Sequence, residues 1–336
     1  MNTRFFRTLG LVLAAGSTLA AQPGSLAGPV AGFVYDGAGR VLRPVQGVPG
    51  AAWIGEPVNF GFNLSAAYVA PRQDSAFVVS ADNALHFFRL TSSGPVEAGL
   101  GGVNFVPQRV VFSPSGSAAA LFTPGKVHIY LGLPGAPALA GSITLPGAAG
   151  LQPVSAGGNR PAQRTTATSS ANADFALSDD GLYALNVSAG SARLLSINGD
   201  NRSLTPAGAG SLVAFAAIGH DAAVLDPAVG LVLIRNASAT GTPQSLAPVD
   251  DNLASAVGIG FSQDGGKLYV ASAAAQGVLA FDLTAGARGT VSCDCTPAAL
   301  VPMGSLFRLN EFSTVPLWLF DAGAAQRIVF VPALTN

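Results

Sequence analysis

The chain has 336 residues, with 17 Lys plus Arg against 18 Asp plus Glu and a net charge of −1 at pH 7. A nucleic-acid surface needs clustered Lys and Arg, and this chain has only Lys126 and Lys267 and no basic run, so nucleic acid is excluded as a partner. Charged residues are only 10% of the chain, against about 25% in an average soluble protein, so its surface has to rely on Ser, Thr, Asn, Gln and backbone groups.

From the N-terminus, residues 1–21 read as an export signal. Arg4 and Arg7 form a positive start, Leu9 to Ala15 an apolar core too short to span a bilayer, and Ala20-Ala21 a small-residue cleavage site. No Cys lies at that site, so no lipid anchor is expected. The expectation is a secreted or periplasmic protein whose mature chain, 22–336, is one domain. The mean hydropathy of +0.44 raises the question of a membrane protein. The most apolar stretch, Leu212 to Ile234, is broken by His220, Asp221, Asp226 and Pro227, so no transmembrane helix is expected. A membrane β-barrel would alternate apolar and polar residues. Val278 to Phe281 and Leu317 to Phe320 are instead continuously apolar, as strands covered on both faces are.

A phrase recurs along the chain. It reads Phe112-Ser113-Pro114-Ser115-Gly116, Leu177-Ser178-Asp179-Asp180-Gly181 and Phe261-Ser262-Gln263-Asp264-Gly265, with looser copies placed at Val69 and Ala217. These anchors are separated by 43, 65, 40 and 44 residues. Each is followed by further short β-type runs, four to a unit: Val257 to Phe261, Lys267 to Ala271, Val278 to Leu283 and Gly289 to Ser292 make the clearest. Four short strands per unit of about 40–45 residues predict an all-β propeller of four-stranded blades. The spacing of 65 is explained by a Gly/Pro/Ser/Thr-rich insertion, 147–170, expected to be a flexible loop. Six full units lie between Ala67 and Pro332. Phe33-Val34-Tyr35-Asp36 matches the third run of other units and Val41 to Val45 a fourth, which predicts a seventh, irregular N-terminal blade and ring closure with N- and C-terminal strands side by side. Six blades with an N-terminal arm is the alternative.

The Phe-Ser-Pro-Ser-Gly and Phe-Ser-Gln-Asp-Gly-Gly-Lys-Leu-Tyr-Val-Ala phrases resemble the blade motif of YVTN/lactonase-like and TolB-like propellers. The last unit, from Cys293-Asp294-Cys295 to Val331-Pro332, resembles the ending of secreted bacterial propellers of uncharacterised function. The resemblance implies a propeller over nearly all of the mature chain. Lactonase-type members are expected to gather acids and Arg in a funnel. With Glu only at 56, 97 and 311, no such set maps onto this chain residue by residue.

The chemistry-bearing residues all have structural readings. Cys293 and Cys295 are the only cysteines, and in an exported chain the pair predicts a local disulfide. His86 and His128 occupy matching third-run positions in adjacent units and read as ordinary hydrogen-bonded rings; His220 has no partner visible in sequence. Asp36, Asp282 and Asp321 each end a run and read as turn-forming acceptors, as do Asp179, Asp180 and Asp264. No Gly-x-Ser-x-Gly elbow, phosphate loop or His-Glu-x-x-His motif is present. No catalytic residues, metal ligands or cofactor are assigned. The expected function is a secreted, monomeric, non-enzymatic module that binds a protein, a glycan or a cell-envelope component, with a hydrolytic, lactonase-like propeller as the alternative.

Overall fold

The computed structural model describes residues 28–101, 103, 105–145, 174–313 and 315–334. The expected export signal at 1–21 and the expected loop at 147–170 lie outside them. The chain forms seven antiparallel sheets, each a meander in which successive strands pair. Blade 1 holds β1 (Val30–Asp36), β2 (Val41–Val48) and β3 (Ala51–Ile54). Blade 2 holds β4 (Leu64–Val69), β5 (Ser75–Ser80), β6 (Leu85–Thr91) and β7 (Gly94–Ala98). Blade 3 holds β8 (Arg109–Phe112), β9 (Ala118–Thr123), β10 (Lys126–Leu131) and β11 (Ala138–Thr144). Blade 4 holds β12 (Phe175–Leu177), β13 (Tyr183–Ser188), β14 (Ser191–Ser196) and β15 (Asn201–Pro206). Blade 5 holds β16 (Leu212–Phe215), β17 (Ala222–Asp226), β18 (Gly230–Ile234) and β19 (Pro243–Pro248). One helical turn, α1 (Asp251–Ala254), precedes blade 6: β20 (Ala256–Phe261), β21 (Lys267–Ser272), β22 (Gly277–Asp282) and β23 (Arg288–Ser292). Blade 7 holds β24 (Val301–Met303), β25 (Leu306–Arg308), β26 (Leu317–Asp321) and β27 (Arg327–Val331). The protein is a seven-bladed β-propeller. Its strands belong to seven separate sheets rather than one closed sheet, so it is not a membrane barrel, and no described helix is long and apolar enough to cross a membrane.

Blade-to-blade packing explains the continuous apolar runs. Seven hydrophobic clusters fill the seven interfaces between neighbouring blades. Along β22, Val278 and Ala280 face blade 7 while Leu279 and Phe281 face blade 5. Along β26, Leu317 and Leu319 face blade 1, and Trp318 and Phe320 face blade 6. Both faces of a blade are core, so alternation disappears.

The repeated phrase forms the turn between the first and second strands. In its three full copies, Ser113, Ser178 and Ser262 each bond the backbone five residues on: Ser N–H to the carbonyls of Ala118, Tyr183 and Lys267, all at 2.9 Å. The Ser hydroxyls accept the N–H groups of those same residues at 2.9–3.1 Å. Gly116, Gly181 and Gly265 close the turn with φ of +74°, +69° and +70°, a region that costs a residue with a Cβ about 1–2 kcal/mol. Gln73 takes the same place in blade 2 with φ of +64°. In blade 5 the copy begins at Phe215, two residues before the predicted Ala217: Ala216 N–H bonds Asp221 O at 2.9 Å, and Gly219 has φ of +70°.

Blade 1 departs from its predicted register. Phe33–Asp36 belongs to the innermost strand, β1, which packs beside the inner strands β4 and β24, and the blade stops at three strands. The misreading has a local cause. Asp36 accepts N–H groups from Ala38 and Gly39 at 3.1 and 2.9 Å, the same turn chemistry by which Asp282 and Asp321 end third strands. Among the described residues no N-terminal strand pairs into the C-terminal sheet; β1 and β3 pack beside β24 and β27 instead. Closure rests on packing of Val34, Val45 and Ile54 against Met303, Leu306 and Leu319. Three cross-blade bonds add to it: Phe33 N–H to Gln73 Oε1 (2.7 Å), Arg327 Nη2 to Pro49 O (3.3 Å) and Gly304 N–H to Pro71 O (2.6 Å).

A Cβ on Gly181 would lie 2.3 Å from Leu131 Cδ2 in blade 3, whereas one on Gly190, at φ of +75°, would meet nothing within 4 Å. Gly190→Ala is therefore expected to lose only the conformational cost, about 1–2 kcal/mol, and Gly181→Ala to lose distinctly more. Equilibrium urea unfolding of the two variants measures the difference; equal losses would contradict this packing.

Candidate ligand-binding channel

Each inner strand pairs with its own sheet on one side only, so its other edge, with unpaired backbone N–H and C=O groups, faces the propeller axis. Around the axis lies a cavity of about 800 Å3, within the range of about 300–1,000 Å3 that holds small ligands. Its wall comes from β4, β8, β12, β16, β20 and β24 and includes Val110, Phe112, Phe175, Leu177, Phe215 and Phe261. No residue of β1 reaches it. Phe33 and Tyr35 of β1 instead border a second cavity of about 30 Å3 with Val69, Val301, Arg308 and Glu311.

The polar part of the channel lies where the repeated turns gather. Ser113, Ser115, Ser262, Gln263, Asp264, Arg72 and Lys267 line that mouth. Most of these groups are already engaged. Arg72 Nε sits 3.0 Å from Asp74 Oδ2, and Gln263 Nε2 donates to Gly304 O at 2.9 Å. Asp264 accepts from Ser262 Oγ at 2.5 Å and Gly266 N–H at 3.0 Å, and the Ser262 bond chiefly holds its carboxyl below the ordinary value. Lys267 makes no salt bridge among the described residues, although its charge helps lower the nearby Asp264 and Asp282 carboxyls. The phenols near the channel are pushed away from neutrality: burial raises Tyr269, and burial with the neighbouring Tyr35 raises Tyr68 to about 12.

The second cavity carries an ion pair whose Arg308 side chain is 7% and Glu311 side chain 34% exposed. Arg308 Nη1 lies 3.0 Å from Glu311 Oε2, and Arg308 Nη2 donates to Oε1 at 3.1 Å. Burial raises the Glu311 carboxyl, with the Arg308 charge opposing, and burial lowers the Arg308 guanidinium. Sequence reasoning placed neither residue in a site. An Arg followed three residues later by the last Glu of a Glu-poor chain was the available signal.

The two equivalent histidines stand in matching surroundings, each ring against a Phe that precedes its own blade and hydrogen-bonded to one side chain. His86 Nδ1 lies 2.7 Å from Glu97 Oε1 with its ring 4.7 Å from Phe62, and His128 Nε2 lies 3.1 Å from Thr123 Oγ1 with its ring stacked on Phe105. Burial lowers the His128 imidazole. Cys293 and Cys295 form a disulfide with Cα atoms 5.1 Å apart, and both pack into the cluster between blades 6 and 7. Asp36, Asp282 and Asp321 stand at the ends of separate strands on turn N–H groups and do not converge. No cluster of three His, Cys, Asp or Glu residues able to hold a metal occurs among the described residues.

The fold and channel define the class, a seven-bladed propeller with an open axial chamber, and solved structures share that architecture. A functionally unknown protein from Desulfotomaculum acetoxidans matches with a TM-score of 0.54 at 16% identity, covering 90% of this chain and 100% of its own. A presumptive 6-phosphogluconolactonase from Bacteroides fragilis matches at 0.52 and 15%, covering 90% and 94%. One from Bacteroides uniformis matches at 0.53 and 14%, covering 90% and 95%. At these identities the likeness is one of fold. No protein-family model and no curated protein sequence matches the chain.

Asp264 has a folded-state pKa below 3.8, so it contributes stability above that value and loses it as pH falls through the folded pKa. Asp264→Asn is expected to melt below the parent at pH 7, with the gap closing once the pH drops below about 3.8. Thermal melts across pH test this; a gap that does not narrow as the pH falls below 3.8 would show that the carboxylate charge is not the cause.

Proposed function

We propose that this is an exported propeller whose axial channel is a binding site rather than a catalytic one, holding its partner by admitting an apolar, anionic group. One observation carries the reading: a chamber of about 800 Å3 with aromatic and aliphatic walls and a cation without a salt bridge, Lys267, at its polar mouth. Burial of an apolar group supplies affinity of about 25 cal/mol per Å2 removed from water. The Lys267 cation favours a negatively charged end. Asp264, held ionised by its own turn, is a poor proton donor, and Tyr68 and Tyr269 are poor proton acceptors at neutral pH. A protein side chain beside an acidic residue, or an acidic envelope component with an apolar part, has this chemistry. Export in a monomeric form agrees with the leader-like start and the disulfide.

A second reading is favoured by the Arg308–Glu311 pair. A buried acid with a raised pKa beside a guanidinium is a general-acid arrangement, and together with the blade-motif resemblance to YVTN/lactonase-like propellers it keeps lactone hydrolysis as the alternative. Glu311→Gln abolishes turnover of any lactone substrate under that reading; under the first it leaves binding in the channel unchanged, while in both it lowers stability because Arg308 loses its counter-charge.

The channel reading is tested with 1-anilinonaphthalene-8-sulfonate, an apolar anion. It is expected to bind the folded protein at one site. Ala217→Trp, at the mouth, is expected to weaken binding about tenfold and Lys267→Ala several-fold, each tenfold being about 1.4 kcal/mol. Binding unaffected by Ala217→Trp would place the probe elsewhere and overturn the proposal.

A further inference from the structure

Blades 4 and 5 meet through a hydroxyl–imidazole–carboxylate chain that the channel does not use. Ser238 Oγ lies 2.8 Å from His220 Nδ1, and His220 Nε2 lies 2.9 Å from Asp180 Oδ2. The three residues come from three turns: Asp180 between β12 and β13, His220 between β16 and β17, and Ser238 between β18 and β19. All three turns open on the propeller face that carries the polar mouth of the channel, because antiparallel meanders put their first and third turns at the same end.

Each member is held by neighbours. The other Asp180 oxygen accepts from Ser178 Oγ at 2.6 Å and from Leu182 N–H at 3.0 Å, bonds that help keep this carboxyl below its ordinary pKa against the opposing effect of burial. The His220 ring stands at 74° to the ring of Tyr183, 5.0 Å away. Ala237 N–H donates to the His220 carbonyl at 2.7 Å, which ties the two blade 5 turns together. Ser238 Oγ also donates to Asn236 Oδ1 at 3.0 Å, an acceptor that shares the hydroxyl's single proton with His220 Nδ1, and Asn236 sits at φ of +46°, a left-handed backbone more often found at turns and functional sites than elsewhere. The side chains of His220 and Asp180 are 24% and 38% exposed, so solvent and small molecules reach the chain.

A hydroxyl within about 2.6–3.2 Å of a base that a third group orients is the arrangement that activates a nucleophile. Asp180 on Nε2 fixes the proton there in the neutral ring and leaves Nδ1 as the acceptor aimed at Ser238. We propose that Ser238 is an activated nucleophile that takes the acyl group of a carboxylic ester, with His220 as its base and Asp180 as a positioning residue. Ser238 Oγ bonds the ester carbonyl carbon, and its proton passes to His220 Nδ1. The bond from that carbon to the ester oxygen then breaks, and the alcohol leaves with that proton. Water attacks the acyl-Ser238 ester through the same base, releasing the carboxylic acid and restoring the hydroxyl. This site does not depend on the channel reading.

The test is covalent labelling of the full chain with a fluorophosphonate–rhodamine probe, followed by peptide mapping. In that reaction the Oγ–P bond forms, the P–F bond breaks, fluoride leaves and the hydroxyl proton goes to His220. The label is expected on Ser238 and is lost in Ser238→Ala. His220→Gln is expected to slow labelling about 100-fold, as loss of a general base does. Asp180→Asn is expected to slow it about tenfold, with partial recovery in Asp180→Glu, a rescue that a purely structural bridge between blades would not give. A parent protein unlabelled at Ser238 overturns the proposal without any variant having to fold. So does labelling at Ser238 that His220→Gln leaves unchanged in a variant melting with the parent.

Discussion

The structure depends on closing a ring of seven sheets without sharing a strand between the chain ends. Blade 1 has three strands, all from the N-terminal side, and blade 7 has four, all from the C-terminal side. What holds them is apolar packing, in which Val34, Val45 and Ile54 meet Met303, Leu306 and Leu319, together with a few cross-blade hydrogen bonds. Gly304 N–H on Pro71 O joins blades 2 and 7 directly, across blade 1. That contact has a consequence for the lumen. Six inner strands wall the main chamber, and β1 borders only the small cavity of Arg308 and Glu311.

The same face of the propeller collects most of the polar contacts between blades. Ser115 N–H bonds Asp179 Oδ1 at 2.7 Å between blades 3 and 4, and His220 bonds Asp180 between blades 4 and 5. Gln263 bonds Gly304 between blades 6 and 7. In a chain with so few charges, these turns are where polarity is concentrated. The repeated turn therefore has two consequences: its Ser and Gly fix the hairpin, and its variable positions furnish both the channel mouth and the Asp180–His220–Ser238 chain.

Much of the fold was legible in the sequence because it rests on local chemistry. The Phe-Ser-x-x-Gly phrase specifies a turn by hydrogen bonds within six residues, so its recurrence counted blades. Continuous runs such as Val278 to Phe281 reported two buried faces. Where the sequence misled, local chemistry was degenerate. Asp36 makes the same turn at the end of a first strand that Asp282 makes at the end of a third, and the blade 5 anchor is obscured because Ala216 stands where blades 3, 4 and 6 have Ser. The sites were less legible still. Ser238 with His220 and Asp180 is defined by which turns and blades lie side by side, and residues 18 and 40 apart in sequence carry no motif; Arg308 and Glu311 are close in sequence, and only the second cavity gives the pair a place. Lys267 stood in plain view in the third copy of the phrase, but only the ring shows that it borders a chamber.

The central claim is that ring closure leaves an axial chamber that receives an apolar anion. A crystal structure of the protein soaked with 1-anilinonaphthalene-8-sulfonate tests it most directly. The account predicts seven blades with β1 innermost in a three-stranded blade 1, and probe density within the lumen with its sulfonate toward Lys267. A lumen closed by side chains, or probe bound only on the outer surface of the blades, would contradict it.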